Sequence, residues 1–192
     1  GLTTIIIPDC VNSIEPCAFR GCSNLQSAIL PNGILILEAS IFANCKNLQT
    51  IEIPETVMKI SACVFSGCTK LSSISLPRSI ESIGYEAFRD CFSLRTVFCY
   101  AQTVPETNIV AFQNLNLESV LVLYVLLELV EDYKETVPWL RFKEILPIPT
   151  GTHKLMYMVD DEEYKSYDVE FVATIIPEPA PTKDGFIFSG WS

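Results

Sequence analysis

Histidine is nearly missing from this chain. The single copy among 192 residues, His153, falls in a stretch rich in Pro, Gly and Thr, Leu146 to His153, that reads as a linker. A Ser-His or Cys-His nucleophile needs an imidazole held against it by folded elements, so that class of catalysis has almost no material here. A Gly-rich phosphate loop is absent too. Positive charge is scarce: 13 Lys and Arg face 23 Asp and Glu, for a net charge of −10. By segment, residues 1–116 carry 7 basic and 9 acidic side chains (−2), 117–149 carry 3 and 6 (−3), and 150–192 carry 3 and 8 (−5). Nucleic acid is held by clustered Lys and Arg on phosphates, so this balance argues against it, and against anionic membrane surfaces. Although 49% of the residues are hydrophobic, no run is long enough to span a bilayer. No catalytic residue, cofactor, metal site or direct membrane insertion is expected.

What the chain does have is a period. Leu2, Leu25, Leu48, Leu71, Leu94 and Leu117 lie 23 residues apart. A fixed period of this size marks a stacked-repeat architecture, in which no turn can bury its own apolar side and each shares a core with its neighbours. The clearest unit is Leu71 to Ser93, LSSISLPRSIESIGYEAFRDCFS. Its first part alternates with period two, which predicts a short strand with Leu71, Ile74 and Leu76 inward and Ser73 and Ser75 outward. Pro77 ends the strand because it has no N–H to donate. Ile80 and Ile83 supply further inward side chains, Phe88 fills the wide part of the turn, and Cys91 closes it.

Stacking superposes like residues. Phe19, Phe42, Phe65 and Phe88 are expected to form an aromatic spine, with Pro8, Pro31, Pro54 and Pro77 at one corner. Thr4, Ser27, Thr50, Ser73, Thr96 and Ser119 should make a hydroxyl row, read as structural because neighbouring hydroxyls hydrogen-bond across strands. Four nearly intact copies of L-x-x-I-x-I-P, followed by A-F-x-x-C, give a motif that resembles the BspA-type leucine-rich repeat of bacterial surface proteins and some protists. The likeness covers residues 2 to about 149. The expected fold is therefore a leucine-rich-repeat solenoid of the α/β type, with 23-residue turns and a parallel β-sheet on one face. The resemblance also implies an extracellular adhesion module, secreted or on a bacterial cell surface, whose partner is a host or bacterial surface protein.

The array degrades toward its end. The fifth turn, Leu94 to Asn116, loses the Pro, slides its Phe to Phe112, and fills the Cys position with Asn114 or Leu115. In the sixth unit the period puts Val120 and Val122 inside. The family likeness, through Leu123-Tyr124-Val125, favours Leu123 and Val125 instead and leaves Leu121 unassigned. A shift of one residue exchanges the two faces. Leu126 to Glu135 reads as a helix with Leu126, Leu129, Val130 and Tyr133 on one side. Pro138 starts a second helical turn with Thr136 as a candidate N-cap. Tyr133, Trp139, Phe142 and Ile145 resemble the terminal cap of BspA-type arrays, so residues 117–149 are expected to cover the open last turn, with an aromatic ligand site as the alternative. Gly1 reads as a cleavage scar, and Leu2 already lies inside a repeat. The uncapped first turn is therefore expected to be covered by natural sequence before Leu2 or by a partner.

Residues 154–192 are expected to be a separate small β-rich module. Lys154–Val159 and Glu162–Val169 read as a hairpin around Asp160-Asp161. Together with Tyr157-Met158-Val159-Asp160-Asp161-Glu162-Glu163-Tyr164, the ending PTKDGFIFSGW resembles the β-grasp-like Listeria–Bacteroides repeat of cell-surface proteins. The chain stops at Trp191-Ser192, before the strands that repeat would add. The consecutive acids Asp160 to Glu163 lack the alternate spacing of a calcium loop and read as a solvated hairpin tip.

Eight cysteines invite a disulfide or zinc reading. Cys22, Cys45, Cys68 and Cys91 form one row, which reads as buried free thiols acting as small hydrophobes, although one strand step is within disulfide range. The pairs Cys17/Cys22 and Cys63/Cys68 lie two turns apart, about 9–10 Å. That is too far for one tetrahedral zinc, which wants its sulfurs about 3.8 Å from one another.

Binding is then left to the surface. The outward positions Ile6, Ile29, Glu52, Ser75 and Phe98 change from turn to turn, and Tyr100 follows. These six residues are the candidate partner-binding face, since exposed Ile, Phe and Tyr on a sheet suggest contact with something. Flanking residues that cover them are the plain alternative. A spacer holding other domains off the cell, or the non-catalytic part of a larger surface enzyme, are the competing functions.

Overall fold

The computed structural model describes residues 1–115 and 121–149 in full, and the strands Thr152–Val159 and Glu162–Glu170 as backbone. The chain divides into two compact units, Gly1–Ile148 and Pro149–Ser192.

The first unit is a coil with three sides. One side carries the strands that open the turns, β1 (Thr4–Ile6), β2 (Ser27–Ile29), β4 (Thr50–Glu52), β6 (Ser73–Leu76), β8 (Thr96–Cys99) and β10 (Val122–Val125), and after the C-terminal helices β11 (Glu144–Pro147). They form two parallel sheets, ordered β1-β2-β4 and β6-β8-β10-β11. The register follows the period: Thr4 faces Ser27, Ser27 faces Thr50, and Ser73 faces Thr96. A second side carries a narrow parallel sheet of β3 (Ile36–Leu37), β5 (Lys59–Ile60), β7 (Ser82–Ile83) and β9 (Glu106–Thr107). The third side, which holds the A-F-x-x-C segments, is a stack of turns. Helix is confined to the C-terminal end of this unit among the described residues.

The turn stack is held by backbone bonds at alternate residues. The amides of Phe19, Phe42, Phe65 and Phe88 donate to Ile41, Val64, Ala87 and Ala111 of the following turn, at 2.8–3.0 Å. The first four turns each close through two left-handed positions, and the fifth keeps only the second. The first is Cys17, Ser40, Cys63 or Glu86; the second is Gly21, Asn44, Gly67, Asp90 or Asn114. The second position holds only Gly, Asn or Asp, the residues that best tolerate that conformation.

Inside, Leu25, Leu48, Leu71 and Leu94 are buried, as are Ile74, Leu76, Ile80 and Ile83. The aromatic spine stacks as expected, with ring centroids 5.5, 5.9 and 5.4 Å apart from Phe19 to Phe88, and Phe112 extends it at 5.2 Å. At the proline corner, the carbonyls of Pro8, Pro54 and Pro77 accept from Val11, Val57 and Ile80. The missing proline N–H is thus placed where the strand ends, while its carbonyl starts the bend.

Turn five departs from the expected length. Thr96 pairs with Val122, a separation of 26 where the period is 23. One extra residue precedes β9, because Ser82 faces Glu106, a separation of 24. Phe112 and Asn114 keep that offset of 24 from Phe88 and Asp90, and Asn114 Nδ2 donates to Asp90 Oδ1 at 2.7 Å. Leu115, packed against the core, therefore takes the cysteine position. The other two extra residues fall between Leu115 and β10. An odd shift of three exchanges the faces. Val122 accordingly takes the hydroxyl-row place expected of Ser119, and Leu121, Leu123 and Val125 are buried. The inward assignment of Val122 from the period is thus corrected; Leu117, Ser119 and Val120 lie outside the described residues.

The helix α1 (Val130–Glu135) follows a 3-10 turn at Leu127–Leu129 and buries Val130 and Tyr133. Thr136 is no N-cap: its hydroxyl donates back to the Asp132 carbonyl at 2.7 Å, finishing α1. Trp139 and Phe142 meet the last ring of the spine edge-on, at 5.3 and 5.2 Å from Phe112. An edge-to-face contact ends a stack, because it offers no parallel ring to extend it.

In the second unit, β12 (Thr152–Val159) and β13 (Glu162–Glu170) form an antiparallel hairpin in which Val159 faces Glu162, with an irregularity between Tyr157 and Met158. The remainder of the expected module, 171–192, lies outside the described residues, as do Asp160 and Asp161.

Candidate partner-binding face

Five of the six candidate residues fall on the strand-bearing side. Ile6, Ile29 and Glu52 are in register across β1, β2 and β4. Ser75 and Phe98 are in register across β6 and β8. The pleat sends this row outward because Ile7, Ile53, Leu76 and Cys99, one residue on, turn into the core. Ile6 is 68% exposed and Ile29 50%, far more than an isoleucine in a packed strand. Glu52 and Ser75 are exposed and Phe98 is half-buried.

Tyr100 sits elsewhere. Its amide donates to the Leu76 carbonyl, which puts it beside Pro77 in the corner row that proline occupies in the first four turns. The half-buried phenol is pushed up in pKa, first by burial and then by the nearby Glu55 carboxylate. The row continues instead into Tyr124, which faces Phe98 and stacks on it at 4.9 Å, 16° from parallel. Sequence reasoning missed Tyr124 because a strict 23-residue step from Phe98 lands on Leu121. The Leu123-Tyr124-Val125 likeness to the repeat strand was the signal that could have found it.

Beside this row runs the hydroxyl row, and Ser27 Oγ donates to Thr4 Oγ1 at 3.2 Å. That bond joins the first turn to the second.

The cysteines make a second row, inside. Cys45, Cys68 and Cys91 are buried, and their thiols donate to the carbonyls of Phe19, Phe42 and Phe65 at 3.1–3.2 Å. Each thiol thus reaches back to the preceding turn. Burial raises the Cys45 pKa to about 11 and the Cys91 pKa to about 12 from an ordinary 9.0, and pushes Cys68 higher still. A nucleophilic cysteine needs the opposite, a stabilised thiolate. All eight cysteines are free. Cys99 accepts from the Tyr133 hydroxyl at 3.2 Å, which ties the cap to the core.

One polar cluster was not anticipated. Glu86 is buried on the turn side, in a left-handed conformation, with Arg89 Nη1 at 2.9 Å. A hydrogen bond from Tyr85 and another from Arg89 hold its carboxyl below the usual range. Arg89 also reaches Asp90 through Nε at 3.3 Å, so one guanidinium serves two carboxylates. No group of three or more His, Cys, Asp or Glu side chains is placed to hold a metal among the described residues.

The BspA type leucine rich repeat region matches residues 1–120 in six copies. The chain belongs to the BspA-type leucine-rich-repeat family. Solved structures agree on the fold. A leucine rich repeat protein of T. pallidum has a TM-score of 0.54 at 22% identity, covering 64% of this chain and 58% of that one. A leucine rich cell surface protein of Faecalibacterium prausnitzii A2-165 has a TM-score of 0.52 at 22% identity, covering 76% and 35%. The pneumococcal vaccine antigen PcpA has a TM-score of 0.53 at 16% identity, covering 76% and 41%. This BspA-type chain therefore spans about three-fifths of the first of these relatives and well under half of the other two. No curated protein matches it. No helix among the described residues is long and apolar enough to cross a membrane.

Proposed function

We propose that this BspA-type array is a non-enzymatic, adhesion-type module that binds a protein partner outside the cell. Its contact row is Ile6, Ile29, Glu52, Ser75 and Phe98, flanked by Tyr100 and extended by Tyr124. The observation that carries this reading is the exposure of Ile6 and Ile29 on a regular parallel sheet. Exposed aliphatic side chains lose free energy to water that a partner's surface returns. A solenoid supplies the complementary requirement, a rigid backbone on which side chains vary one rung at a time. Placement at the cell surface is supported by the family and by the likeness to the Faecalibacterium cell surface protein. In this reading residues 2–149 are the solenoid with its cap, residues 154–192 are a small β-rich module resembling the Listeria–Bacteroides repeat, and the partner is a host or bacterial surface protein.

The test is binding of the full chain to a panel of extracellular-matrix and bacterial surface proteins, before and after Ile29→Ser combined with Phe98→Ala. A binder whose affinity drops about tenfold or more, the loss expected when buried interface anchors are truncated, supports the face. An unchanged affinity removes it, and leaves the array as a spacer or a scaffold for other domains.

A further inference from the structure

We infer that Glu52 selects the partner: the segment that docks on this row presents an arginine or lysine side chain between apolar ones. The inference rests on the strand-face reading above and adds the chemistry of what is bound.

The argument begins with spacing. Ile29 and Glu52 face each other on adjacent parallel strands, and such strands lie about 4.8 Å apart. A surface that covers the half-exposed Ile29 side chain cannot avoid the carboxylate beside it. Glu52 is exposed, and no cation of the chain reaches it within ion-pair distance among the described residues. In the unbound protein water solvates it at no cost. Under a partner that water is lost, and an unpaired buried carboxylate costs far more than one isoleucine contact returns. Apolar docking at Ile6 and Ile29 is therefore compatible only with a partner that brings its own donor to Glu52.

The neighbouring positions decide what kind of donor fits. Ser75, one repeat beyond Glu52, is small and exposed, and Thr50 and Ser73 in the adjoining row end in short hydroxyls. The carboxylate therefore stands beside a low stretch of the face. A long side chain with a cationic head can lie there, its methylene stem along Ile29 and its head on Glu52. Arginine fits best, because its planar fork matches a carboxylate with two parallel hydrogen bonds. Glu52 is the only charged member of a row that is otherwise aliphatic, hydroxyl or aromatic, so a single cation neutralises it.

A phage-displayed library of random linear peptides, panned on the full chain, tests this. Selected clones are then bound to wild type and to the Ile29→Ser, Glu52→Gln and Glu52→Lys variants, with far-UV circular dichroism confirming that each variant is folded. The expected result is that clones dependent on Ile29 are enriched in Arg or Lys, weaken as salt is raised, and lose on the order of tenfold or more on Glu52→Lys. Clones that depend on Ile29 but carry no basic enrichment, or bind Glu52→Lys as well as wild type, overturn the inference and leave the strand-face reading standing. A library that yields no Ile29-dependent clone overturns both.

Discussion

Removing one ring from the middle of the aromatic spine should cost far more than removing one from its end. Phe65 is fully buried, with Phe42 at 5.9 Å on one side and Phe88 at 5.4 Å on the other. Phe19 is only partly buried and has a single ring neighbour in the spine, at 5.5 Å. Core Phe→Ala substitutions cost about 3–5 kcal/mol, because the lost transfer energy is joined by the cavity left behind. Phe65 also forfeits two stacked contacts, each worth about 0.5–1.5 kcal/mol beyond area burial. The narrow stack cannot collapse onto the hole, since the backbone bonds on either side of it fix the spacing of the turns. Phe65→Ala is therefore expected near the top of the range, about 4–5 kcal/mol, and Phe19→Ala at about 1–2 kcal/mol. Equilibrium urea unfolding followed by far-UV circular dichroism measures both. With a slope of about 2 kcal/mol per molar urea, Phe65→Ala should lower the midpoint by roughly 2 M and Phe19→Ala by less than about 1 M. Equal losses would refute the idea that the turns share one continuous core, because an array of independent turns would not distinguish its middle from its end.

Other consequences can be checked in the same way. A Cβ at Gly84 would lie 2.8 Å from the Ser61 carbonyl carbon, a backbone atom of the preceding turn. Gly84→Ala should therefore force two turns apart and destabilise by about 1–3 kcal/mol, the usual cost of overpacking, in the same urea assay. In the folded chain Ellman's reagent should label exposed Cys10 and Cys17 and spare Cys45, Cys68, Cys91 and Cys99 until urea is added. Rapid labelling of all eight would contradict the buried ladder. The thiols also fix a pH dependence. Unfolded cysteines ionise near 9.0, whereas Cys45 and Cys91 hold their protons to about 11 and about 12 when folded. The folded state then binds more protons, so the thiols' contribution to stability should be flat below pH 9 and fall as pH rises from 9 toward 12. The slope should shrink in Cys45→Ala combined with Cys91→Ala, and a fall beginning well below pH 8 would point to another group.

The period, the strand faces, the aromatic spine and the thiol row were legible in the sequence because a solenoid repeats its environment. One 23-residue copy states which positions face inward, and three more copies correct any local accident. The same logic placed Ile6, Ile29, Glu52, Ser75 and Phe98 on one outward row. It failed where repetition fails. Three extra residues in turn five moved Tyr124 into the row and Val122 onto the hydroxyl line, and the step of 23 could not register them. Tyr100, two residues after Phe98, kept the period and took the corner place that Pro77 holds one turn earlier. The buried Glu86 and its partly exposed partner Arg89 were not anticipated, because the first three turns hold Cys or Ser at the Glu86 position.

Sequence by itself determined the coil, since a repeated pattern of apolar positions admits few ways to bury them all. Tertiary structure decided how the coil ends and what its surface shows. Whether a ring is stacked, as Phe98 is on Tyr124, or turned edge-on to close the core, as Trp139 is on Phe112, depends on which residues the final turns bring together. That meeting is set by chain length between strands and by packing across turns, neither of which a local pattern encodes.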